Sequence, residues 1–571
     1  GSVASALYAK GYVDRYLDRK PAAHISLHYF AFTLLSLSMT AVVTASGGYT
    51  FLFWWELMTL SSFVLILFDA ERKEVLKAAL TYLVMMHLGF FALLIGFVVL
   101  QAAAGFGMKA GLFPMHVWLP EAHPAAPSHV SALMSGVMIK TGVYGVLRTA
   151  MYLPAGETLA TAGVILLGAG IVTGLWGVLL AAMQNDIKRL LAYSSIENVG
   201  IIFIAIGVAL LGRSAGNDTV ALCGMAGALL HTLNHSFFKS LLFFGAGNLY
   251  AEAHTTALDR FGGVARQMPV TAILFLAGTA AICALPPLNG FVSEFIIYTG
   301  MFRSIAEGQQ VLLAAAGVTA LALIGGLALF AFTKLYGIVF LGAPRTHEVA
   351  EMHEADNYRI AAMALPAAGI LFIGLLPWTV LPLLTKVAAT LLPGLGAGRQ
   401  PAAELPLWAG LTQITVSYTH LRAHETKAIT LVAAVLIAAT ALLLVAKRRA
   451  LRRRTVASGP TWGCGFTAVN TRMQYTGESF VEGLESIVHP FTEEVVEGKA
   501  VDKQEIFPSA HDFDIRRKDR VARLFSAWWV ESLRLLNARV MRLRTGKINH
   551  YILFALLFIV LVFLCSILNL L

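Results

Sequence analysis

Charge is what this chain has least of. Asp, Glu, Lys and Arg make up 13% of its 571 residues, against about 25% in a soluble domain. That shortage excludes a surface solvated on all sides by water. Cysteine is scarce too: Cys223, Cys283, Cys464 and Cys565 are scattered, with no CxxC spacing and no Cys/His cluster. No disulfide framework, iron–sulfur site or haem motif can be built from them. No cofactor, metal or catalytic redox group is therefore expected in this chain. The formal net charge of +10 comes from basic residues in short loops between apolar runs. That distribution is membrane topology and excludes a nucleic-acid-binding face.

Hydrophobic residues, by contrast, fill 57% of the chain. A helix needs about 20 apolar residues to cross a bilayer, and such runs recur about a dozen times. The reading is an all-α polytopic membrane protein of about 13 transmembrane helices. Spans are expected near 26–46, 49–68, 76–102, 105–120, 129–152, 160–183, 191–212 and 219–248. Further spans follow near 269–303 (interrupted), 310–341, 360–392, 427–446 and 549–571. Alternate loops are basic: "DRYLDRK", "ERKEVLK", "NDIKR", "ALDRFGGVARQ" and "KRRALRRR" share one side, and "SGG", "LPAGET" and "GRSAGND" the other. The basic side is expected to be cytoplasmic, in a prokaryotic inner (plasma) membrane.

Residues 1–25 read as a polar lead-in with a truncated start, and 26–392 as the transmembrane core. Residues 393–426 read as an extracytoplasmic loop, 427–446 as a helix, 447–548 as a cytoplasmic segment and 549–571 as a last helix. Within the loop, "VSYTHLRAHET" (416–426) is basic on the wrong side and reads like translated sequencing adapter. No function is drawn from it. In the cytoplasmic segment, "IRRKDRVARLFSAWWVESLRLLNARVMRLR" has apolar residues at helical spacing. It suits either a membrane-surface helix or a docking helix for a partner subunit.

The few ionisable residues inside the apolar runs carry the functional signal. They are Glu56, Lys109, His116, His123, Lys140, Glu197, His231, His235, Lys239, Glu294 and Lys334. An ionisable group at mid-bilayer costs at least about 2.5–3.5 kcal/mol on insertion scales, and persists facing a bundle interior, a wet cavity or a partner. Singly, each has a plain structural explanation: a snorkelling lysine or a histidine that caps backbone. A series with one in nearly every helix is hard to explain by packing. His231, His235 and Lys239 step by four and share one helix face, a ladder about 12 Å long. Lysine suits proton exchange because it can be deprotonated, which arginine cannot.

Two breaks accompany the charges. "LFPMHVWLPEAHPAAPSH" holds Pro114, Pro120, Pro124 and Pro127, and "ALPPLNGF" holds Pro286, Pro287 and Gly290. Proline removes a backbone donor and breaks a helix. Freed backbone at membrane depth is tolerated only inside protein or along water, and paired broken helices mark transporters built from repeats. Lys109 precedes the first break and Glu294 follows the second, as expected of inverted repeats.

At these residues the chain resembles a known family. "KAGLFPMHVWLPEAHPAAPSHVSALMSGVMIKTGVYGVLR", "QNDIKRLLAYSSIENVG", "HSFFKSLLFFGAGN" and "LPPLNGFVSEF" are similar to the antiporter-like subunits of respiratory complex I, Mrp-type cation/proton antiporters and membrane-bound hydrogenases. The likeness runs from about residue 26 to 392. "SSIENVG" and the tail "TWGCGF…MQYTGESF" are most similar to the large membrane subunit of formate hydrogenlyase and related group 4 hydrogenases. The resemblance implies a glutamate–lysine pair at Glu56 and Lys109, and a central relay of Lys140, His231, His235 and Lys239. It implies an exit group at Glu294, where some members carry lysine. It also implies nickel–iron and iron–sulfur centres in partner subunits, other membrane subunits, lipid contact, and a peripheral hydrogenase or dehydrogenase arm on the cytoplasmic side. The N-terminus departs from the pattern, since the family has more helices before the Glu56 helix. Protons or sodium are the expected cargo. A freestanding Mrp-type antiporter and a passive hydrogenase anchor are the alternatives.

Overall fold

The computed structural model describes residues 1–95, 99–154, 156–392, 425–452, 471–498 and 513–524. Helices α1 (Ser2–Val13), α2 (Ala22–Thr44), α3 (Gly48–Ile66) and α4 (Lys73–Ile95) lead into α5 (Val99–Ala110), α6 (Leu119–Ala125), α7 (Ser128–Leu133) and α8 (Ile139–Ala150). The long helices α9 (Glu157–Met183), α10 (Ile187–Ser214) and α11 (Asp218–Ala253) follow. Then come α12 (Pro269–Ile282), α13 (Asn289–Ala306), α14 (Val311–Phe340), α15 (His347–Ala350), α16 (Asn357–Leu375) and α17 (Leu381–Leu391). The last described helices are α18 (Glu425–Leu451) and α19 (Gly477–Val488), before two paired strands, β1 (Thr492–Gly498) and β2 (Phe513–Asp519). Among the described residues, eight helices are long and apolar enough to cross a bilayer. The chain divides into two compact units, 1–490 with 494–517, and 491–493 with 518–571. The first holds the helical bundle; in the second, Arg523 pairs with Glu493.

The centre of the bundle is α10, whose membrane window is wholly buried. It packs on α9 through glycines, because only backbone without Cβ permits so close an approach. A Cβ at Gly200 would stand 2.3 Å from the Gly174 nitrogen, and one at Gly170 would stand 2.5 Å from the Ile204 nitrogen. Helix α11 packs beside α10 and carries the ladder into the core.

Several boundaries differ from the sequence reading. The apolar run over 76–102 does not stay one straight span: Gly89 of α4 packs against Gly105 of α5. The span at 105–120 is half of a broken helix, since Gly111 takes φ +83, a conformation that suits glycine, and Pro114 lacks a backbone donor. The second break, between α12 and α13, lies where Pro286 and Pro287 were expected to place it. A further interruption at 376–380 separates α16 from α17, where Pro377 and Pro382 cannot donate. Residues 1–25 are more than a polar lead-in. Ala4, Tyr8 and Tyr12 of α1 face the core at helical spacing, and the Tyr8 hydroxyl donates to the Phe244 carbonyl at 2.9 Å. The helix expected from 515 onward opens instead in strand β2. Residues 525–571, with the amphipathic stretch and final span, lie outside the described residues, as do 393–424 with most of the adapter-like segment.

Candidate functional site

Helix α3 carries Glu56 and the last turn of α5 carries Lys109, but the two side chains do not hydrogen-bond each other. Glu56 Oε1 lies 2.9 Å from His87 Nε2 on α4. Lys109 is buried against other partners: its Nζ donates to Thr59 Oγ1 at 3.2 Å and to Tyr82 OH at 3.3 Å. The Tyr82 hydroxyl also meets Ser62. The Lys109 ammonium further lies 5.6 Å from the Trp55 ring centre and 5.7 Å from that of Tyr82, within cation–π range. Tyr82, Thr59 and His87 were not singled out from sequence. Tyrosine and threonine are common in apolar helices, and only His87, alone in "LVMMHLGFF", offered a signal.

Lys140 follows a single π-helical turn, Met134–Met138. Such a turn releases carbonyls from the regular ladder and is frequent at functional sites. Lys140 Nζ takes up the Ser135 carbonyl, and its other contact is His235 Nδ1 on α11. A carbonyl only accepts, so Nζ donates to Ser135. The His235 contact holds one proton in either arrangement: an ammonium donating to Nδ1, or a protonated Nδ1 donating to the amine. Passing that proton moves a positive charge from one helix to the other.

His231 sits one turn from His235, with Nε2 3.1 Å from Asn198 Oδ1 and Nδ1 3.0 Å from Ser293 Oγ. Asn198 Oδ1 accepts, which places a proton on His231 Nε2. Ser293 is on the first turns of α13, so the ladder reaches the helix that follows the second break and carries Glu294. The third rung, Lys239, donates to the Leu191 carbonyl at 2.8 Å and to Ser194 Oγ at 2.5 Å. Those partners are on α10, which also holds the buried Glu197.

The remaining candidates separate. His123 is fully buried on α6, its ring 6.2 Å from that of Trp118 and 5.5 Å from that of Phe243. His116 is buried with its ring stacked on Phe113. Lys334 is buried among the carbonyls that end α9, donating to Ala182 at 2.6 Å and Gln184 at 2.7 Å. Asn185, in the same turn, accepts from Lys334 at 3.5 Å and donates to Glu478 of α19 at 2.5 Å. Lys334 thus satisfies a helix end and touches no other member of the ladder. Lys188, read from sequence as part of a basic loop, is 3% exposed and donates to the Ala126 carbonyl at 3.0 Å. Among the described residues no group of His, Cys, Asp or Glu is arranged to hold a metal ion.

Residues 100–324, which include this line of groups from Lys109 to Glu294, match the transmembrane family described as NADH:quinone oxidoreductase/Mrp antiporter. The chain is 37% identical over 495 residues to Escherichia coli (strain K12) hydrogenase-4 component B, covering 81% of this chain and 71% of that protein. It is 36% identical over 313 residues to formate hydrogenlyase subunit 3 of the same organism, covering 54% and 51%. In fold it is similar to a chain of the membrane-bound sulfane sulfur reductase, an archaeal respiratory membrane complex. There the TM-score is 0.68 and the identity 21%, over 99% of this chain and 87% of that one. A chain of the Mrp complex from Dietzia sp. DQ12-45-1b gives a TM-score of 0.58 at 18% identity, over 72% and 83%.

Proposed function

The chain belongs to the NADH:quinone oxidoreductase/Mrp antiporter transmembrane family, and on that premise we propose that it is an ion-translocating subunit of a membrane-bound oxidoreductase of the hydrogenase or formate hydrogenlyase kind. The observation that carries the reading is the contact between Lys140 on α8 and His235 on α11. It joins the first half of the bundle to the ladder that leads toward Glu294. Each station is a nitrogen base or a carboxylate, and Lys109, His231 and Lys239 lie beside hydroxyls that accept and donate. Nitrogen bases bind protons, whereas hard metal cations prefer oxygen ligands, so the central stations favour protons over sodium.

Electrons are handled by nickel–iron and iron–sulfur centres in partner subunits on the cytoplasmic side, where the basic loops and residues 447–548 also lie. This chain contributes the ion path. Lys109, held by Thr59 and Tyr82, is the first station. Lys140 and His235 exchange the proton between halves, and His231 passes it toward Glu294.

Isolation of the complex through a tag on this chain tests the assignment. Co-purification of nickel–iron and iron–sulfur subunits supports it, and a preparation free of them favours a freestanding Mrp-type antiporter. In vesicles carrying the whole complex, Lys109→Ala is expected to stop ion movement. Ion movement that survives unchanged would indicate a passive anchor.

A further inference from the structure

We propose that His28 and His129 form a proton-uptake site, collecting protons from a cleft at the basic-loop end of the bundle and delivering them to the buried relay. The proposal rests on the translocation reading above. His28 on α2 and His129 on α7 are both buried, and their Nε2 atoms are 2.8 Å apart. Two imidazole nitrogens at that distance need one proton between them, one ring donating and the other accepting. An excess proton makes the contact an imidazolium–imidazole hydrogen bond, which is charge-assisted and stronger than the neutral one. His129 Nδ1 is buried with no hydrogen-bond partner, an arrangement uncommon in a ring retained only for packing.

The pair has a route outward. A cleft of about 310 Å³ is lined by Tyr12, Arg15, Tyr16, Arg19, Tyr250 and His254. Tyr12, in its wall, meets the His129 ring edge-on at 5.6 Å. Tyr250, opposite, lies under Lys188 with Nζ 5.3 Å from its ring centre.

On the inner side, Lys188 and the segment that carries His123 share an acceptor. Lys188 donates to the Ala126 carbonyl, which also accepts from Ser131 Oγ at 3.3 Å; the same Oγ donates to the His123 carbonyl at 2.7 Å. Under the proposal, protons taken up by His28 and His129 pass by way of Lys188 and His123 to the relay. The other ionisable groups on the elements around the pair include Tyr8, Lys10, Tyr12, Asp14, Arg15 and Tyr16 from the α1 side, Lys20, His24 and Tyr29 before and on α2, Asp69 after α3, and Tyr250 and Glu252 on α11. Two of these acids are held by cations: Asp69 by Lys20 at 3.1 Å and Glu252 by Arg15 at 2.6 Å.

The test uses vesicles carrying the whole complex, with His28→Gln, His129→Gln, the double variant and Lys140→Ala. Initial rates of proton movement are followed against pH on the basic-loop side, with and without added imidazole. Each histidine variant is expected to lose about a hundredfold in rate, the scale of a positioned proton carrier. The loss should deepen as pH rises and free protons become scarce. The double variant should be no worse than either single one, and imidazole should restore much of the rate. If the histidine variants keep native rates and pH profile while Lys140→Ala stops movement, the uptake site is wrong and the translocation reading stands. A loss that imidazole does not relieve, with poor assembly, makes the pair a packing element and also overturns the proposal. If Lys140→Ala is silent as well, the translocation reading itself fails.

Discussion

His87 Nε2 stands 2.9 Å from Glu56 Oε1, while His87 Nδ1 lies 2.8 Å from the Leu83 carbonyl. The carbonyl can only accept, so Nδ1 carries a proton. The other ring nitrogen is the one that lies at ion-pair distance from Glu56. Glu56 is thus tied first to a histidine one helix away, and Lys109 to hydroxyls.

Removing His87 should therefore act like weakening Glu56. An ion pair with a partly exposed histidine contributes up to about 1 kcal/mol, so His87→Leu is expected to slow ion translocation by up to about fivefold. Electron transfer and assembly should be retained. His87→Lys, which restores a cation, should recover part of the rate in vesicle measurements. Native rates in His87→Leu would show that Glu56 works without its neighbour.

Lys140 and His235 should behave as a unit. Removing one partner of this hydrogen bond costs about 1–3 kcal/mol, because the other is left unsatisfied. Lys140→Met and His235→Phe should each destabilise the solubilised complex by that order. The double variant should be less damaged than the sum, with a coupling of about 0.5–3 kcal/mol. Denaturation of the four proteins of the cycle measures it; strict additivity would mean the contact is not made.

Lys334 is expected to matter for stability before transport. Its loss leaves the Ala182 and Gln184 carbonyls without their donor, at about 1–3 kcal/mol for each buried group. Lys334→Met should lower thermal stability and yield, while the complexes that do assemble move the native number of ions per electron. A lowered ratio in intact complexes would return Lys334 to the relay.

The seam between α9 and α10 should tolerate no side chain. Gly200→Ala places a Cβ 2.3 Å from the Gly174 nitrogen, and overpacking of this kind costs about 1–3 kcal/mol or more. Gly325→Ala on α14, where a Cβ meets nothing within 4 Å, should be neutral. Yield of folded complex compares them.

Much of this architecture is legible in the chain. Long apolar runs announce helices, prolines announce the two main breaks, and the step of four from His231 to Lys239 puts three titratable groups on one face. Pairings across helices are another matter. Nothing in the spacing says that Glu56 meets His87 before Lys109, or that Tyr82 lies beside Lys109, because those contacts depend on helix rotation and tilt. Lys188 was hidden by its neighbours: in "NDIKR" it reads as loop charge, yet α10 begins at Ile187 and takes it inside. Lys334 shows the opposite case, a buried lysine in an apolar helix that serves a nearby helix end. The π-turn at Met134–Met138 has no composition mark at all, and it is this turn that brings the Ser135 carbonyl to Lys140.

The most direct measurement is the number of ions moved per electron in vesicles carrying the whole complex, native against Lys140→Ala, with electron-transfer rate recorded alongside. A relay running through the Lys140–His235 contact requires that the ratio collapse while the complex remains assembled. The same ratio in both proteins would contradict it, and would make the charged axis a structural feature of a membrane anchor.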